Sequence, residues 1–60
     1  MKYYIQSNKT GKYLSNLFED RHAKQFQEAK PIAGKCYYYE TKQIALDVAA
    51  QLNGAIVAID

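Results

Sequence analysis

Glu40-Thr-Lys-Gln-Ile-Ala-Leu-Asp-Val-Ala-Ala-Gln-Leu-Asn-Gly54, continuing as Ala55-Ile-Val-Ala-Ile-Asp60, is the stretch that decides the fold of this chain. Thr41 is a good N-cap, because its hydroxyl can accept a hydrogen bond from an unpaired N–H of the first helical turn. At roughly 100° per residue, Ile44, Ala45, Val48, Ala49 and Leu52 fall on one side of a helix. Lys42, Gln43, Asp47 and Gln51 take much of the opposite side, and Leu46 and Ala50 lie outside the apolar arc, flanking the polar side. Asn53-Gly54 is a helix stop. Ala55–Ile59 is then apolar at every position, the pattern of an interior strand covered on both faces.

Working outward, Lys35-Cys-Tyr-Tyr-Tyr39 reads as a strand before the helix, reached through a bend at Ile32-Ala-Gly34. Strand, helix and final strand are joined by short links, so they predict a right-handed β-α-β crossover with room for the first strand between its two strands. At the N-terminus, Lys2-Tyr-Tyr-Ile-Gln-Ser7 is aromatic and β-branched, Asn8-Lys-Thr-Gly11 is a turn, and Lys12-Tyr-Leu-Ser15 returns. Tyr3 and Ile5 share one face of that hairpin. Between the two units, Phe18, His22 and Phe26 recur at helical spacing, Asn16 and Glu19 resemble a capping box, and Pro31 stops the run. Residues 17–30 are therefore read as a short extra helix, with an irregular loop anchored by Phe26 as the rival. The expected fold is α+β: an N-terminal β-hairpin plus a C-terminal β-α-β unit, giving a sheet of about four strands packed on one main helix in a single domain, 1–60.

Sixty residues give a small core. A chain of this length buries only about 60% of the surface its unfolded form exposes. Such domains usually gain stability from disulfides, a metal or a partner. The chain has one cysteine, Cys36, and one histidine, His22, which excludes an internal disulfide and leaves a structural zinc site short of ligands. No cofactor is expected. Self-association or docking on a larger protein is the compensation that remains. Eight Lys/Arg against six Asp/Glu give a net charge of +2, short of the basic footprint typical of nucleic-acid binders. No apolar run approaches the ~20 residues of a membrane span, and the N-terminus lacks the apolar core of a signal peptide. The expected location is the cytoplasm.

Tyrosine is the compositional outlier, six residues in sixty. Alternation sends members of the 37–39 triplet to different faces, so part of Tyr4, Tyr13, Tyr37, Tyr38 and Tyr39 must leave the helix-covered core. Such rings, with an apolar body and a polar tip, suit a partly wet protein interface. Together with Leu46 and Ala50 they are the interface candidates. The same surface supports a second reading, in which bases stack on tyrosines while Lys2, Lys12 and Lys35 hold phosphates. Catalysis is not expected. Ser7, Ser15, Asp20 and His22 match no nucleophile signature, Cys36 reads as a small buried hydrophobe, and Gly11 and Gly34 lack phosphate-loop spacing.

The residues Tyr3-x-Ile5, Thr10-Gly-Lys-Tyr-Leu14, Ala23-x-x-Phe26 and Thr41-x-x-x-Ala45-x-x-x-Ala49-x-x-Leu52-Asn-Gly54 resemble those of small bacteriophage and prophage accessory proteins of Gram-positive bacteria. The resemblance spans most of the chain and rests on residues that build the fold, so it brings no site residue with it. What it implies is a small protein that binds and blocks a host protein, such as defence or transcription machinery. The expected function is a non-catalytic protein-interaction module that associates with itself, a dimer being favoured, and with another protein.

Overall fold

The N-terminal hairpin forms from its own local chemistry. In the computed structural model, which describes residues 1–16 and 26–60, β1 (Lys2–Ser7) and β2 (Tyr13–Leu14) flank the turn. The Ser7 N–H donates to the Lys12 carbonyl at 2.8 Å, and the Gly11 N–H donates to the Ser7 carbonyl at 3.0 Å. Gly11 closes the turn at φ +74°, a conformation that side chains resist. The buried Ser7 hydroxyl accepts from the N–H groups of Lys9 (3.1 Å) and Thr10 (3.3 Å), which satisfies turn donors that no strand could reach.

β1 then organises everything else. One of its edges pairs along its whole length with β5 (Gly54–Ile59), from Lys2↔Ile59 to Ser7↔Gly54. Its other edge is divided: β2 takes Gln6↔Tyr13, and β4 (Tyr38–Tyr39) takes Tyr3↔Tyr39 and Tyr4↔Tyr38. All of these pairings are antiparallel, so β4 and β5 run parallel to each other with β1 between them. The helix α1 (Lys42–Gln51) joins them, as the β-α-β reading expects. A fifth strand, β3 (Phe26–Glu28), extends the sheet beyond β2 through a register irregularity between Tyr13 and Leu14.

The core lies between α1 and one face of the sheet. Ile5, Leu14, Ala45 and Ala49 are buried together, with Tyr3, Phe26, Tyr37, Tyr39, Val48, Leu52 and Ile56 packed around them. Tyr3 and Ile5 do share this face, as the alternation requires. The two alanines allow the helix to approach the sheet closely, which narrows the covered arc.

That narrowing corrects one expectation. Ile44 sits about 100° round the helix from Ala45 and is 51% exposed instead of core. Residues 26–28 form a strand and 29–30 a bend where the reading is a helix over 17–30, because pairing with β2 outweighs a weak helical period; residues 17–25 lie outside the described residues. The strand expected over 35–39 contracts to Tyr38–Tyr39, since β2 already occupies β1 near Gln6; Cys36 makes only single bridges to Ser15 and Ala33. Thr41 holds the N-cap position, yet its side chain makes no capping hydrogen bond.

The last correction concerns the helix stop and the strand after it. Asn53, at φ 54°, takes the left-handed position, and Gly54 opens β5. Glycine is needed there for another reason: a Cβ on it would stand 2.9 Å from the Gln6 carbonyl oxygen and 3.0 Å from Ile5 Cγ2. Nor is β5 interior. Among the described residues it pairs only with β1, and Ala55, Ala58 and Ile59 are exposed. Gly54→Ala should therefore destabilise the protein by about 1–3 kcal/mol, the usual cost of overpacking against backbone, read as a lower urea midpoint. Wild-type stability in that variant would mean that β5 does not approach β1 so closely.

Candidate functional site

Side chains on β1 divide strictly between the two faces of the sheet, and this sorts the tyrosines. Tyr37 and Tyr39 are half-buried against the core cluster, so both serve packing before interaction. Burial raises the Tyr39 pKa above its ordinary value, and the neighbouring Tyr37 adds to the shift. Tyr4 and Tyr38, paired across β1 and β4, lie on the face away from α1. Their ring centroids are 6.0 Å apart at a 46° tilt. Tyr4 is only 2% exposed and is removed from the interface candidates, whereas Tyr38 is 40% exposed. The Lys2 ammonium lies 5.0 Å from the centre of the Tyr38 ring, a cation–π contact. Tyr13, opposite Gln6 and Glu28, is half-buried on the same outer face.

On the helix, Leu46 is 41% exposed and Ala50 is exposed, matching their expected place off the buried stripe. The basic candidates do not gather. Lys2 begins β1, while Lys12 faces Ser7 at its other end, about 16 Å away along the strand. Lys35 is exposed, with its carbonyl accepting from the Asn16 N–H at 2.9 Å. Cys36 is buried, and its thiol donates to the Lys30 carbonyl at 3.4 Å, the environment of an inert side chain. Among the described residues no group of three His, Cys, Asp or Glu could hold a metal ion, and no helix is long and apolar enough to cross a membrane. His22 and Asp20 lie outside the described residues.

The feature that sequence reasoning missed is the outer edge of β5, which no other strand pairs with among the described residues. Its backbone orientation follows from three contacts. The Asn8 N–H donates to the Asn53 carbonyl at 3.2 Å, the Ser7 N–H turns away to Lys12, and the Gln6 carbonyl points at the start of β5. Hydrogen bonding alternates along an antiparallel pair. Ala55, Val57 and Ile59 therefore direct their backbone groups at β1, and Gly54, Ile56 and Ala58 direct theirs outward. None of these six residues is charged, none is proline, and Ile59 is 36% exposed. Natural edges usually carry such protection. Its absence is visible in the sequence, but only once the strand is known to be an edge.

Comparison with protein-family models, with curated proteins and with solved structures finds no match for this chain.

The Tyr39 shift has a measurable consequence. Because its folded pKa lies above the unfolded value of about 10, its contribution to stability is complete below pH 10 and is lost as the pH rises through the folded value. Tyr39→Phe should lose less stability than wild type between pH 8 and pH 11, compared by urea unfolding. Equal losses in the two proteins would show that Tyr39 ionises as freely in the fold as outside it.

Proposed function

We propose that this chain is a non-catalytic protein-interaction module that associates with itself as a dimer and acts, in the cytoplasm, by contact with another protein. The observation that carries this reading is the position of Leu46: a leucine 41% exposed on a helix whose buried side is already occupied by Ala45 and Ala49. The exposed Ala50 beside it and the β5 edge, which pairs with no second strand among the described residues, enlarge the same kind of surface. A core cluster of four buried residues among the described ones, with no disulfide available, gives the chain reason to recruit further burial from a partner. The resemblance to phage accessory proteins adds the biological role: a modulator of a host protein in defence or transcription.

A second reading, a nucleic-acid-binding protein, draws on one contact. Lys2 over the exposed Tyr38 ring is a basic–aromatic pair on the sheet face away from α1, the combination that single-strand binders use. Against it stand the separation of Lys2 from Lys12 and the small net charge.

Sedimentation equilibrium across protein concentration, at low and high salt, tests the first reading. A dimer that weakens only slightly with salt is expected, because most of its contact is apolar and not screened. A monomer at every concentration would remove self-association from the proposal. Fluorescence anisotropy with a labelled single-stranded oligonucleotide tests the second reading, which requires binding that weakens steeply with salt.

A further inference from the structure

We propose that two copies of this chain join through β5, antiparallel and edge to edge about a two-fold axis, with Leu46 and Ala50 of both helices closing over the junction. This rests on the self-association argued above and specifies where it occurs. Two independent features of one surface meet here: a row of outward backbone groups, and an apolar helix flank beside it.

The backbone comes first. Gly54, Ile56 and Ala58 turn their N–H and C=O groups away from β1, and among the described residues those groups have no backbone partner. Two antiparallel edges satisfy one another only when outward residues oppose outward residues. With the axis at Ile56, Gly54 of each copy opposes Ala58 of the other, and Ile56 meets its own counterpart. Such pairing keeps both helices on the same side of one continuous ten-stranded sheet. Three of the six residues from 53 to 58 are glycine or alanine, Gly54, Ala55 and Ala58, and they leave room for a second backbone along this edge.

The helix supplies the second half. A parallel β-α-β connection is right-handed almost without exception. With that hand, and with Ala45 and Ala49 facing the sheet, the turn of the helix directs Leu46 and Ala50 to the β5 side and Ile44 to the β4 side. Strands lie about 4.8 Å apart, so pairing β5 with its copy brings the two helices to roughly 10–14 Å. Helices pack at about 8–10 Å, and leucine is long enough to fill what remains. Under a two-fold axis the same patch covers itself, which is why a second copy fits this surface.

Charge agrees with the arrangement. Asp60 follows β5 at one end, and the turn carrying Lys9 and Lys12 stands at the other. Antiparallel pairing brings each acidic end toward the basic turn of the other copy. The area sets the strength. β5 is about 20 Å long, and with the helix layer it offers a section of about 400 Å², near a tenth of the 4215 Å² surface. That fraction is the share of a small protein's surface that a specific contact takes, and the absolute area, about half the ~800 Å² per partner of a standard interface, makes the dimer weak and concentration-dependent.

The test combines sedimentation equilibrium with residue-resolved amide exchange by NMR on the full chain. In concentrated wild type, the amides of Ile56 and Ala58 should exchange slowly and become fast on dilution. Those of Ala55, Val57 and Ile59 should stay protected by β1 throughout. Leu46→Asp, at an exposed site, and Ala58→Pro, which removes an outward N–H that β1 does not use, should each weaken the dimer about tenfold or more. Should Ala58→Pro fail to fold, Leu46→Asp and the exchange pattern still decide. A dimer that survives Leu46→Asp with Ile56 and Ala58 exchanging fast, but is lost in Tyr38→Asp, overturns the β5 junction and leaves self-association standing. A wild-type monomer up to millimolar concentration overturns both.

Discussion

The hydrogen bonds on the two edges of β1 are what the rest of the molecule depends on. Residues whose backbone groups face β5 place their side chains on the outer face, as Tyr4 and Gln6 do. Residues whose backbone groups face β2 and β4 place theirs under the helix, as Tyr3 and Ile5 do. One choice of register therefore fixes both the ladder partners and the composition of the core. A slip by one residue would send Ile5 to the outer face and Tyr4 beneath α1. Gly54 reinforces that register, because β5 approaches β1 too closely there for any larger residue.

Small residues shape the second layer. Ala45 and Ala49 are the helix positions that meet the sheet most directly, and their size allows the helix to settle low over Ile5 and Leu14. The stripe that these two small residues bury is narrow. Ile44 and Leu46, on either side of Ala45, consequently stay in water. The aromatic residues fill the perimeter that alanines cannot, with Tyr3, Tyr37, Tyr39 and Phe26 closing the rim of a core whose centre is aliphatic. The outer face has its own burial at Tyr4, beside the partly exposed Tyr38.

Much of this was legible in the residues and some of it was not, for physical reasons. The hairpin was legible because Asn8–Gly11 carries its own turn chemistry. The helix was legible because its period extends over three turns. The apolar run Ala55–Ile59 identified a strand but not its place, since two of its five residues are alanines with little area to hide, and continuous apolarity does not distinguish an interior strand from a bare edge. Phe26 was read at helical spacing because a three-residue strand is too short to display a period of its own. Of the interface candidates, Leu46 and Ala50 followed from the wheel alone. Tyr4 did not, because alternation gives the face of a residue and says nothing of what covers that face.

The pairing of Lys2 with Ile59 also governs how the protein comes into being. β1 is made early, yet the strand that completes one of its edges is made some fifty residues later, after the helix. The hairpin can close while synthesis continues, because its contacts are local. The central sheet cannot, because its longest ladder joins segments far apart in sequence. During translation, then, an aromatic strand waits with one side unpaired, and folding is completed only once β5 is available to meet it.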